Sequence, residues 1–111
     1  MVVDQHLQSF NNNDIDALMR DYTEESELWK ADGHLKGKEA IAAFYSYVFS
    51  ILPRESTEMH LVQRIVQGNK AFLVWSADSA FITIPLGSDS FEIVDGKIIW
   101  QSITAHIVPK S

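Results

Sequence analysis

The sequence predicts an α+β domain, with helices first, antiparallel strands afterwards, and the helices packed on one face of a sheet. Three observations carry this reading. Apolar residues in the first half recur every three or four positions, the spacing of one helix face. The second half holds two strand pairs closed by turn sequences, Gln67-Gly68-Asn69-Lys70 and Asp95-Gly96. The chain has 111 residues, 46% of them hydrophobic, which suits one core; no repeat or linker divides residues 1–111.

Each element follows from local chemistry. Val2, Val3, His6, Leu7 and Phe10 mark the apolar face of a first helix. Asn11-Asn12-Asn13 interrupts it, because asparagine side chains compete for backbone hydrogen bonds. Asp14 is a good N-cap for a short second helix carrying Ile15, Leu18, Met19 and Tyr22. Ser26 to Ala31 reads as a first strand, followed by a turn at Asp32-Gly33 and a break at Gly37. Lys38 to Leu52 has a broad apolar face, Glu39 in its first turn, and Pro53 to end it, so a long helix is predicted there. Met59–Val66 and Ala71–Ala77 form one predicted hairpin, Asp89–Val94 and Lys97–Val108 another. Phe81 to Ile84 reads as a separate short strand stopped by Pro85 and Gly87.

Composition excludes several function classes. Without cysteine there is no disulfide framework and no thiolate metal site. Fifteen acidic residues against nine basic ones argue against a nucleic-acid partner, which needs a basic face. No stretch approaches the roughly 20 apolar residues of a membrane span, and the opening MVVDQHLQSF does not resemble a signal peptide. A cytoplasmic protein without membrane association is expected. No G-x-S-x-G, G-x-G-x-x-G or P-loop occurs, and no two histidines have ligand spacing on one element. Neither a cofactor nor a metal is therefore expected.

Three separated segments, in order, point to one family. Asn11-Asn12-Asn13-Asp14-Ile15-Asp16-Ala17-Leu18 resembles an N-x-x-D-x-x-A-L helix junction. Tyr22-Thr23-Glu24-Glu25-Ser26, followed by Ala31-Asp32-Gly33-His34-Leu35-Lys36-Gly37-Lys38-Glu39-Ala40-Ile41, resembles a Y-x-x-D-…-P-D-G-x-x-x-G-x-x-A-I stretch. Gly87 to Ile98 with Gln101-Ser102 is similar to a G-x-D-[ST]-F-x-[IV]-x-D-G-K-I-x-x-Q-[ST] end. Together they resemble the nuclear-transport-factor-2-like superfamily, in its SnoaL-like, ketosteroid-isomerase-like branch. That resemblance implies a cone: a curved, mostly antiparallel sheet wrapped around N-terminal helices, with an apolar pocket at the open end. It also implies a homodimer through the outer sheet face. The first helix is shorter than is usual there, so a thinner wall or a more open pocket is expected.

The resemblance bears on single residues. It puts Lys30 where ketosteroid isomerases carry their proton-moving aspartate, and His6 where they carry an oxyanion-binding tyrosine. Asp89 matches their oxyanion aspartate, while Tyr22 and Tyr45 match tyrosines that support the pocket. With two of three roles replaced, the steroid isomerase reaction is not expected. From the residues themselves, Asp89 shares strand parity with Phe91 and Ile93. Facing inward, it would be desolvated and hold a proton near neutrality; at the strand start, it would instead bond backbone amides near Gly87. Lys30 is either a buried base or a solvated lysine at the cone's mouth, which Asp32 can neutralise. His6 is either an acid–base group facing Tyr45 or Asp89, or a core histidine. His34 and His60 lie near loops and read as solvated. Parity sets Gln101, Ile103, Ala105 and Ile107 toward the pocket, with Trp100 and His106 on the outer face.

The expected function is thus a pocket for a small apolar molecule. Asp89, His6 and Lys30 are the catalytic candidates; Tyr22, Tyr45, Phe91, Gln101 and Ile103 are the ligand-binding ones. Cofactor-free acid–base isomerisation or cyclisation of an apolar carbonyl compound is one reading. Non-catalytic ligand binding and a homodimeric association domain are the others.

Overall fold

The computed structural model describes residues 2–110. Helices α1 (Val2–Asn11) and α2 (Ile15–Met19) come first, then strands β1 (Tyr22–Lys30) and β2 (Gly33–Lys36), then α3 (Lys38–Ile51). Five strands complete the chain: β3 (Glu58–Gln67), β4 (Lys70–Asp78), β5 (Ile82–Val94), β6 (Lys97–Ala105) and β7 (Val108–Pro109). The strands make one curved, unclosed sheet in the order β2-β1-β6-β5-β4-β3, with β7 added to the start of β5. Among the described residues only the β1–β6 pair is parallel. The expected α+β class and curved sheet are therefore present.

Local chemistry accounts for most boundaries. The Asp14 carboxylate accepts from the Ala17 amide at 3.1 Å and caps α2. Asn13 stands at φ +53°, a left-handed conformation that asparagine tolerates between two helices. The tight turns of both hairpins place Gly68 and Gly96 at positive φ, where glycine carries no steric cost.

Four boundaries differ from the prediction. Tyr22 begins β1 instead of closing the second helix, because the chain leaves α2 at Arg20 and the Ile98 amide bonds the Asp21 carbonyl. β1 accordingly starts four residues before Ser26. β2 was not expected; the Asp32-Gly33 turn folds Gly33–Lys36 back onto Glu27–Lys30. Phe81–Ile84 and Asp89–Val94 are not two strands, since β5 runs unbroken through Pro85 and Gly87. Opposite Trp75–Ala77 of β4 stands the longer stretch Ile84–Gly87, so the missing N–H of Pro85 falls in a bulge and breaks no ladder bond. The last strand ends at Ala105, after which His106-Ile107 steps over to β7.

Helices α1 and α3 cover one sheet face. Val3, Leu18, Leu28, Ile41, Leu73 and Ile98 are fully buried between the layers. The other face lacks a covering layer: Ile65, Phe72, Ser90, Ser102 and Trp29 lie in register across it, and the Trp29 and Trp100 rings meet edge-on at 5.6 Å. His34 and His60 are exposed, as expected. Among the described residues no helix is long and apolar enough to cross a membrane.

Candidate functional site

Between α1, α3 and the sheet lies a cavity of about 510 Å³. Leu7, Phe10, Phe44, Val48, Leu73 and Ile103 are among its apolar walls. The polar groups reaching it are few, chiefly Asp89, His6, Tyr45 and the Trp75 indole, with Lys30 and Asp32 at one end. A cavity of this size and lining suits a small, mostly apolar ligand.

Strand pairing puts Asp89 there. It stands opposite Leu73 on β4 and Ile103 on β6, two cavity-lining residues, so the same pleat turns its carboxylate inward. The alternative placement, bonding backbone amides near Gly87, does not occur. Instead Oδ1 accepts from the Trp75 indole N–H at 2.9 Å, and Oδ2 from the Gln101 amide at 2.8 Å. Only 7% of the residue is exposed. Burial pushes the Asp89 carboxyl up to about 6, and the two donors hold it from rising further.

Gln101 anchors a buried ring of hydrogen bonds. Its Nε2 also donates to the Tyr45 hydroxyl at 2.9 Å, and its Oε1 accepts from the Tyr22 hydroxyl. The two tyrosine oxygens are 3.2 Å apart. Because the Tyr22 proton is directed to Gln101, Tyr45 donates to Tyr22, and the three residues close a circle. Both tyrosines are held above their ordinary range, by burial first, so they stay neutral. Neither hydroxyl has a proton left for a ligand.

The remaining candidates are placed as follows. His6 lines the cavity, packed edge-on against Phe91 at 5.2 Å, Tyr45 at 6.0 Å and Tyr22 at 6.2 Å. It bonds neither Tyr45 nor Asp89, and its buried Nδ1 has no partner. Burial lowers it to about 4, so the ring is neutral at pH 7. Lys30 reaches the cavity's rim but bonds Asp32 at 2.6 Å. That contact holds the Asp32 carboxyl below its usual range and occupies the ammonium. Tyr45 and Ile103 line the cavity, whereas Tyr22, Phe91 and Gln101 sit behind its wall. Ala105 and Ile107 line it as parity predicted. Trp75, which lines the cavity and bonds Asp89, is the candidate side chain that the sequence did not single out. Its signal was alternation in β4, where Ala71, Leu73, Trp75 and Ala77 share one buried face. Among the described residues no cluster of acidic or histidine side chains is arranged to hold a metal ion.

Residues 3–101 match the model of the SnoaL-like domain. No curated protein matches the chain. Solved structures superpose over most of it at low identity. An NTF2-like protein of unknown function from Cytophaga hutchinsonii ATCC 33406 is 15% identical, covers 95% of this chain and 87% of its own, and has a TM-score of 0.75. A Kribbella flavida DSM 17836 protein provisionally named a ketosteroid isomerase is 10% identical, with 95% and 75% covered and a TM-score of 0.77. A protein from Jannaschia Sp. CCS1, provisionally named a SnoaL-like polyketide cyclase, is 16% identical, with 94% and 84% covered and a TM-score of 0.78. At such identities the likeness is one of fold.

Proposed function

The chain belongs to the SnoaL-like domain family, and from that premise we propose that its cavity takes up a small apolar carbonyl compound and exchanges a proton with it at Asp89, without a metal or cofactor. One observation carries the reading. Asp89 is a buried carboxyl on the cavity wall, held by the Trp75 indole and the Gln101 amide with no cation against it, and burial pushes it up to about 6. A proton-transfer group works best when its acidity lies near the operating pH, and a positioned one contributes on the order of 10²–10⁴-fold. His6, neutral at pH 7, adds a second polar side chain to the cavity wall. Lys30 closes the rim through Asp32 and takes no part in the proton transfer. Isomerisation or cyclisation through an enolate is the reaction class that follows. The proposal includes a cytoplasmic location.

Deuterium exchange at the α-carbon of 2-tetralone in D₂O, followed by NMR, tests this. The protein is expected to accelerate exchange, and Asp89→Asn to abolish the acceleration. Exchange at the buffer rate, with the ketone bound, would favour a non-catalytic binding role for the same cavity. A second role rests on the uncovered sheet face, where Trp29 is 51% and Ile65 48% exposed. We propose that this face joins two copies of the chain, since Trp29 toward one side and Ile65 with Phe72 toward the other leave it exposed apolar area that association would bury.

A further inference from the structure

Asp89 is held by two donors that cannot take a proton from it. An indole nitrogen donates only. The Gln101 amide nitrogen donates likewise, and its carbonyl oxygen is already engaged by Tyr22. Both bonds therefore favour the carboxylate over the acid.

Trp75 makes its bond because of the residue opposite. Trp75 pairs with Gly87 across β4 and β5, and Leu73 pairs with Asp89 one step along the same face. The indole lies across the bare backbone of Gly87. A Cβ there would stand 2.6–2.7 Å from three ring carbons of Trp75, closer than any real contact. Gly87 thus owes its identity to this approach; its φ is not among the positive ones. The space left by the absent side chain lets the ring's N–H reach over to Oδ1.

We propose that Trp75, laid over Gly87, is a positioning residue that fixes Asp89 as the proton acceptor of the reaction. The inference rests on the proton-transfer reading of the cavity. In the step it supports, an α-C–H bond breaks and its proton forms an O–H bond on Asp89. The electron pair moves into the carbonyl as an enolate, and the proton later returns to carbon. Of the titratable groups around Asp89, Tyr22, Tyr45 and His6 are all neutral at pH 7, so no neighbouring charge performs the task given to the indole.

The test is a ¹³C NMR titration of the Asp89 carboxyl in the wild type, Trp75→Phe and Gly87→Ala. Trp75→Phe keeps an aromatic ring and removes the N–H; Gly87→Ala keeps both partners and displaces the ring. In each the midpoint is expected to rise by about one pH unit, a tenfold weaker acid, as befits losing a bond to a charged group. In the wild type the indole N–H resonance of Trp75 should move with the same midpoint. Variants that titrate like the wild type, or an indole resonance indifferent to Asp89, would overturn the proposal. If Gly87→Ala does not fold, Trp75→Phe decides alone. Failure of the underlying reading looks different: wild-type titration as proposed here, but no α-exchange at any pH.

Discussion

Replacing Asp89 by Asn should change how the stability of this protein depends on pH, and the expected change can be worked out. Burial raises the Asp89 carboxyl from 3.8 to about 6 in the folded chain. At about 1.4 kcal/mol per pH unit, that costs about 3 kcal/mol of stability at pH 7. The folded pKa is above the unfolded one, so stability is lost as pH rises through 6 and fully present only below 3.8. His6 runs the other way. Its depression from 6.5 to about 4 gives stability present above 6.5 and lost as pH falls toward 4, again about 3 kcal/mol in all. Both residues are under a tenth exposed, so water screens neither. Between pH 7 and 4.5 each effect amounts to about 2 kcal/mol, and they nearly cancel. Urea denaturation of the wild type should therefore show these two groups contributing a net change below about 1 kcal/mol over that window. Asp89→Asn keeps only the His6 contribution and should lose about 2 kcal/mol on acidification relative to wild type, whereas His6→Leu should gain about as much. Other carboxyls titrate alike in all three proteins and drop out of the comparison. Parallel profiles for wild type and Asp89→Asn would refute the claim that position 89 is desolvated.

Gln101→Leu should destabilise the fold by about 2–3 kcal/mol in the same assay, since it removes three buried hydrogen bonds and leaves the Tyr22 proton and one oxygen of Asp89 without a partner. An effect below about 0.5 kcal/mol would mean that the ring is not intact in solution. Sedimentation at micromolar concentration should find a dimer that Trp29→Lys dissociates; a monomeric wild type would leave the outer sheet face without its proposed role.

Much of this architecture was written locally. The spacing in α1 and α3, the Asp14 cap and the two glycine turns each depend on residues within a few positions of one another, so a sequence displays them directly. Parity in β6 likewise turned Ile103 and Ala105 toward the cavity, and parity in β5 tied Asp89 to the face of Phe91. Where the local signal conflicted with pairing, pairing prevailed. Pro85 and Gly87 read as strand breakers, yet β5 passes through both, because the bulge absorbs one and the Trp75 ring requires the other. β2 has no strong strand pattern of its own and exists because β1 offers it an edge.

The candidate site divides along the same line. By itself the sequence determined which side chains share a face, Asp89 with Phe91 and Ile93, because side-chain direction in a strand alternates with position alone; it left open whether Asp89 faces inward or bonds backbone amides near Gly87. Only the tertiary structure decided what those groups do. Three elements distant in sequence bring Tyr22, Tyr45 and Gln101 into a closed circle, leaving the tyrosines no free proton; β4 sets an indole against Asp89; and α1 seals His6 away from water. Hydrogen-bond partnership and desolvation depend on which atoms lie within about 3 Å, and no local pattern specifies that across eighty residues of chain.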